Sequence, residues 1–110
     1  VERSRGLGDV YKRQDYILGD NPRGSSYMVG FGMNSPQQPH HRAASGVGWD
    51  GFNSPEANAF VLHGALVGGP SRADDFAYTD QRSDYISNEV AIDYNSGLTG
   101  ALAFAAQQMA

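Results

Sequence analysis

Two short stretches hold most of the side chains able to do chemistry. The first is PQQPHHRAAS, residues 36–45, where two adjacent histidines and an arginine follow a proline-rich bend in a chain with only 3 His and 8 Lys plus Arg. Successive side chains of an extended loop point to opposite sides, so His40 and Arg42 share one face and His41 takes the other. An imidazole and a guanidinium on one face can donate hydrogen bonds to a neutral polyol, or hold a nearby carboxylate ionised. A zinc site is poorly supplied, because one further histidine, His63, and no cysteine are available to complete a tetrahedral set. No metal and no cofactor are expected. A histidine packed against backbone, with Arg42 in a surface pair, would account for the same letters, and an HxR triplet alone does not separate the two readings.

The second stretch is YTDQRSDYISNEVAIDYN, residues 78–95. Asp80 and Glu89 stand nine residues apart, flanked by Tyr78, Tyr85 and Tyr94, with Arg82 and Asp84 between. Carboxylates among aromatic rings suit carbohydrate chemistry: rings pack on the apolar faces of sugars, and partial desolvation raises a carboxyl pKa until the group can act as a general acid. An acidic loop before a helix gives the same composition through the helix dipole. Trp49, the one tryptophan, lies in GVGWDGFN, where no periodic apolar pattern claims it. It reads either as an open platform for a sugar ring or as a packed anchor. Gly30 and Gly32 in VGFGMN supply half of a nucleotide fingerprint, but no strand, glycine-rich loop and helix follow at the required spacing.

These residues must be positioned by very little regular structure. The chain has 110 residues, room for one small domain, and its 14 Gly and 5 Pro with 40% hydrophobic residues predict ordered structure with long connections. DYILG reads as a helix end, stopped by Gly19 and by Asn21-Pro22. SSYMVGFGMN reads as a short extended segment. SPEANAFVLHGALVGG carries a capping serine, Ser54, with Pro55 at the first helical position, and its apolar residues at 59, 62, 65 and 66 predict a helix ended by Gly68, Gly69 and Pro70. SRADDFAYTDQRSDY is polar and turn-like, and LTGALAFAAQQM predicts a helix. Two helices and a strand form a marginal core for a free-standing domain.

Charge excludes some partners. Residues 1–14, VERSRGLGDVYKRQ, hold four of the eight basic residues, whereas from Asp15 onward four arginines face ten carboxylates, a net of -6. That body has no basic patch for nucleic acid or an anionic membrane, and no apolar run approaches the roughly 20 residues of a membrane span. Residues 1–14 show neither helical nor strand periodicity and read as a non-native leader or sequence artefact, or else a linker.

The segment DYILGDNPRGSSYMVGFGMNSPQQPHHRAAS closely resembles the histidine signature of glycoside hydrolase family 9, and YTDQRSDYISNEVAIDYNSG resembles that family's Asp/Glu signature, with GALVGGP between them. The likeness covers residues 15–110. It implies an all-α fold, an (α/α)6 barrel of which only the last helices and active-site loops are present, with the remainder of the barrel missing. It also implies an inverting endo-1,4-β-glucanase acting on cellulose or another β-1,4-glucan. Inverting hydrolysis needs an acid on one side and a base-activated water on the other, the carboxyls about 6.5–9.5 Å apart. Glu89 matches the catalytic acid and Asp80 the signature aspartate, in a supporting position. His40 and Arg42 match the residues that contact the sugar beside the scissile bond, and Tyr94 an active-site tyrosine; Trp49 joins them as a candidate platform. The family's base aspartate belongs to a motif that this sequence does not contain, so the 15–110 segment is expected to be inactive alone. A secreted location follows from the need to meet an insoluble polymer. A non-catalytic carbohydrate-binding remnant, or the same fold acting on another β-glucan or a chitooligosaccharide, are the alternative readings. Ser71, where an acidic residue is usual after GGP, and the loop 46–58 depart from the family pattern.

Overall fold

The computed structural model describes residues 2–109, with side chains from residue 8 onward. Two long helices, α1 (Glu2–Ile17) and α3 (Ile92–Met109), pack on each other, and nearly everything between them is loop. A single helical turn, α2 (Arg42–Ser45), and two 3-10 turns, Trp49–Gly51 and Asp75–Ala77, interrupt that loop region.

Helix α3 forms where the Ala- and Leu-rich stretch predicts it. Leu98 and Ala105, seven residues apart and so on one face, are its buried residues. Val10, Gln14 and Ile17 of α1 meet Gly97, Leu98 and Ala101 of α3 around a 240 Å³ hollow. Residues 2–14 are thus helical, contrary to the lack of helical periodicity read from the sequence: Val10, Gln14 and Ile17 stand at i, i+4 and i+7 and share the face turned to α3.

Helix α1 stops as the punctuation requires. The Leu18 N–H still bonds Gln14 at 2.9 Å, then Gly19 turns at φ 128 and the chain enters the Asn21-Pro22 bend. Asn21 fastens that bend by donating to the carbonyls of Tyr16 and Ser25, each at 2.8 Å. A buried polar cluster then ties the helix end to the loops. The Tyr16 and Tyr27 hydroxyls both donate to the Asp75 carboxylate, and the Arg23 guanidinium lies over the Tyr27 and Tyr78 rings at 5.3 and 4.5 Å. The Tyr16 hydroxyl, then that of Tyr27, with the nearby Arg23 charge, hold the Asp75 carboxyl below the usual carboxylate range. Burial, reinforced by the Asp75 hydrogen bond, pushes Tyr27 up to about 12.

The extended segment is shorter than expected. Among the described residues there are isolated bridges and no full strand: Met28 pairs with Leu66, Val67 with Val90, both antiparallel, and His40 with Glu89, parallel. The chain turns away after Val29 because Gly30, Gly32 and Asn34 take left-handed conformations, at φ 75, 70 and 56. Tyr27, Val29, Val67 and Tyr78 form the core of this bridged region, with Ile17, Leu62, Leu66 and Val90 packed against it.

The helix predicted over 54–67 does not form. Its backbone groups bond tertiary partners instead: Asn58 N–H to Gln37 O, Ala59 N–H to Ser45 O, Phe60 N–H to Ala44 O, and Leu66 N–H to the Asn95 side chain. Ser54 turns its hydroxyl to the Glu56 carboxylate instead of capping a helix. A helix would satisfy those donors locally; here they knit the histidine loop to the rest of the chain.

Candidate active site

Asn88 is the hub around which the two signature stretches meet. It is 0% exposed. Its side-chain N–H groups reach Gln38 O at 2.7 Å, Gln81 O at 3.1 Å and Asp80 Oδ1 at 3.2 Å, and its Oδ1 accepts from the Tyr78 hydroxyl at 2.5 Å. Its main-chain carbonyl accepts the His40 N–H at 2.7 Å, which makes the His40–Glu89 bridge. Residues 49 positions apart in sequence thereby become neighbours in space.

The Asp80 carboxylate is occupied within the same hub. Oδ2 accepts from the Gln37 N–H at 2.7 Å and Oδ1 from the Gln38 N–H at 3.0 Å, so a turn that two prolines keep irregular is fastened by a side chain 42 residues away. Beside it, burial and then the charge of Asp80 push the Tyr78 hydroxyl well above the ordinary tyrosine range.

Glu89 is exposed, and among the described residues its carboxylate has no hydrogen-bond partner. Its backbone is fixed on two sides. The Gly68 N–H bonds Glu89 O at 3.0 Å and the Gly69 N–H bonds Ser87 O at 2.9 Å. Gly68 is required by this approach: a Cβ there would stand 2.9 Å from Ile86 O and 3.3 Å from Ser87 O. Thus the GGP turn, which carries no reactive group, fixes the backbone from which the Glu89 side chain projects.

His40 is held as firmly. Nδ1 lies 2.6 Å from the Arg82 carbonyl, and the ring meets Phe52 edge-on at 5.4 Å and Tyr85 at 6.3 Å. Phe52 continues to Trp49 at 5.8 Å, and the Arg42 guanidinium lies 4.4 Å from the centroid of the Trp49 ring. His40, Arg42 and Trp49 therefore belong to one aromatic row, with Trp49 67% exposed. His41 turns away, as alternation predicts, although Arg42 is already helical. Its Nδ1 accepts the Ala44 N–H at 3.0 Å and caps α2, and its ring lines a 460 Å³ cleft with His63, Ala65, Val90 and Ile92. Tyr94 sits half-buried on the first turn of α3, beside Asn95, whose amide binds Gly64 O at 2.7 Å and the Leu66 N–H at 3.1 Å.

Sequence reasoning passed over two residues. Arg82 is 2% exposed and spends its donors on oxygens of loop 52–58: Asn58 Oδ1 at 2.7 Å, Phe52 O at 2.8 Å, Ser54 O at 3.3 Å and Glu56 O at 2.6 Å. Asn88 is the other. Neither gives a sequence signal by its type, since a polar residue in an acidic loop reads as solvated; only their partners mark them.

The Glycosyl hydrolase family 9 profile matches residues 4–102. Endoglucanase B of Cellulomonas fimi is 60% identical over 89 residues, 81% of this chain and 8% of that protein. Among solved structures, an endoglucanase from Clostridium thermocellum complexed with cellobiose and cellotriose superposes with a TM-score of 0.76 at 55% identity, over 84% of this chain and 15% of that one. A cellulase of C. cellulolyticum superposes with a TM-score of 0.77 at 44% identity, over 91% of this chain and 23% of that one. The two helices and the loops they carry belong to the (α/α)6-barrel fold class of these relatives. More narrowly, the chain belongs to glycosyl hydrolase family 9, and it spans less than a quarter of the length of each of these relatives.

Proposed function

We propose that the chain supplies the acid side of the catalytic cleft of an inverting endo-1,4-β-glucanase, a secreted enzyme acting on cellulose or another β-1,4-glucan. Glu89 protonates the leaving glycosidic oxygen, and a base aspartate from outside this chain activates water on the opposite face of the sugar. His40, Arg42 and Tyr94 contact the sugar at the scissile bond, and Trp49 offers a ring to a neighbouring unit. Asp80 acts indirectly, by fastening the loop that carries His40. The observation that carries this reading is the backbone pairing of His40 with Glu89 across Asn88, which makes a fixed histidine and an exposed glutamate neighbours in space. The cellobiose and cellotriose bound by the C. thermocellum relative support the substrate class.

The test replaces the corresponding segment of that relative with this chain's residues 15–110. The chimera is expected to hydrolyse carboxymethylcellulose, and Glu89→Gln to lose nearly all of that activity while still binding cellotriose. Full activity in the Gln variant would remove Glu89 from the acid role. The 110-residue chain alone is expected to release no reducing sugar, since it supplies one carboxyl of the required pair.

A further inference from the structure

The PHHR stretch places two histidines side by side in opposite hydrogen-bonding situations. His40 Nδ1 lies 2.6 Å from the Arg82 carbonyl oxygen, which can only accept, so the proton must sit on Nδ1. His41 Nδ1 accepts the Ala44 amide proton at 3.0 Å, so that nitrogen is bare and the neutral ring carries its proton on Nε2. A neutral histidine free in water prefers the second arrangement, and His40 is held in the first by its surroundings. Those surroundings lead to Arg82 twice. Its main-chain carbonyl takes the Nδ1 proton, and its guanidinium fixes the Phe52 carbonyl at 2.8 Å, below the ring that meets His40 edge-on. Four oxygen partners and near-complete burial keep the arginine from moving.

We infer that Arg82 is a positioning residue that holds His40 as the Nδ1–H tautomer, with a bare Nε2 to accept a sugar hydroxyl, while His41 stands beside it as the Nε2–H tautomer. His40 is then an acceptor toward the glucan. The role of Nε2 rests on the glucanase reading; the tautomers do not.

The test is long-range ¹H–¹⁵N correlation of the imidazoles in the 110-residue chain labelled with ¹⁵N-histidine, where three histidines give three patterns. Above the imidazole titration range, His40 is expected to show the Nδ1–H pattern and His41 the Nε2–H pattern. Arg82→Lys, whose single ammonium cannot reach four acceptors, is expected to turn His40 into a mixture of tautomers and leave His41 unchanged. If that variant fails to fold, Asn58→Ala, which removes the Nε acceptor together with the Asn58 amide's 3.1 Å bond to the Pro39 carbonyl, is expected to move His40 in the same direction. His40 protonated on Nε2 in the unsubstituted chain, one averaged pattern for all three rings, or an unchanged His40 in the folded variants would overturn the inference. In the labelled chimera, adding cellotetraose is expected to shift His40 Nε2 and not His41; the same tautomers with no such shift, in a chimera that hydrolyses carboxymethylcellulose, would overturn the acceptor role and leave Arg82's positioning role standing.

Discussion

Exchanging one atom of Asn88 tests whether its hub holds the site together. Asn88→Ala leaves the buried Tyr78 hydroxyl without its acceptor and the Gln38 carbonyl without its 2.7 Å donor. A buried polar group stripped of its partner costs about 1–3 kcal/mol, so two such groups cost about 4 kcal/mol together. Asn88→Asp keeps the volume and the acceptor for Tyr78, yet it is expected to be worse. The atom facing Gln38 O, Gln81 O and Asp80 Oδ1 changes from a donor to a charged oxygen surrounded by three acceptors. Equilibrium urea unfolding, followed by Trp49 fluorescence and far-ultraviolet circular dichroism, reads both variants. With a slope of about 2 kcal/mol per molar, the alanine midpoint falls by about 2 M, and the aspartate midpoint falls further. An aspartate variant as stable as the parent, or more stable than the alanine variant, would refute the donor assignment and the hub with it.

Further tests concern other parts of the frame. Because the Asp75 carboxyl is held below its usual range, it adds stability above the unfolded carboxyl range, and this is lost as pH falls through its lowered folded value; Asp75→Asn should flatten the acid limb of a stability-versus-pH profile. Tyr27 has the opposite sign: raised to about 12, it adds stability below the unfolded tyrosine value near 10 that is lost as pH climbs toward 12, and it should ionise late in an ultraviolet titration. Gly68→Ala drives a Cβ against the Ile86 carbonyl and is expected to cost about 1–3 kcal/mol in urea unfolding, with an altered Glu89 amide resonance. Trp49→Ala removes an exposed ring and its contact with Arg42, so stability should fall by no more than about 1 kcal/mol while cellotetraose affinity in the chimera drops clearly.

The sequence by itself determined where α1 ends, that the last stretch is helical, and which chemistry the chain can host. The run from Leu98 onward forms its helix because most of its residues, Ala, Leu, Gln and Met, are strong helix formers, and Gly19 with Asn21-Pro22 ends α1 because those residues cannot continue one. His40, Arg42, Asp80, Glu89 and Tyr94 stand out in the sequence because their types and spacing resemble two family signatures, and the roles proposed for them rest on that resemblance. What lies between those signatures was not legible. Residues 54–67 carry a helix's cap and apolar spacing, yet their amides bond oxygens of residues 37, 44, 45 and 95, partners that sequence pattern does not reveal. Helix over residues 2–14 escaped notice for a related reason: a polar Gln14 stands between Val10 and Ile17 on its inward face, so the face shows itself only once it packs beside α3. Tertiary structure alone decided that His40 and Glu89 would be neighbours, because the contact depends on Asn88, Arg82 and Gly68. An amide, a buried guanidinium and a missing Cβ act through where their partners stand, and that is fixed only once the chain has folded.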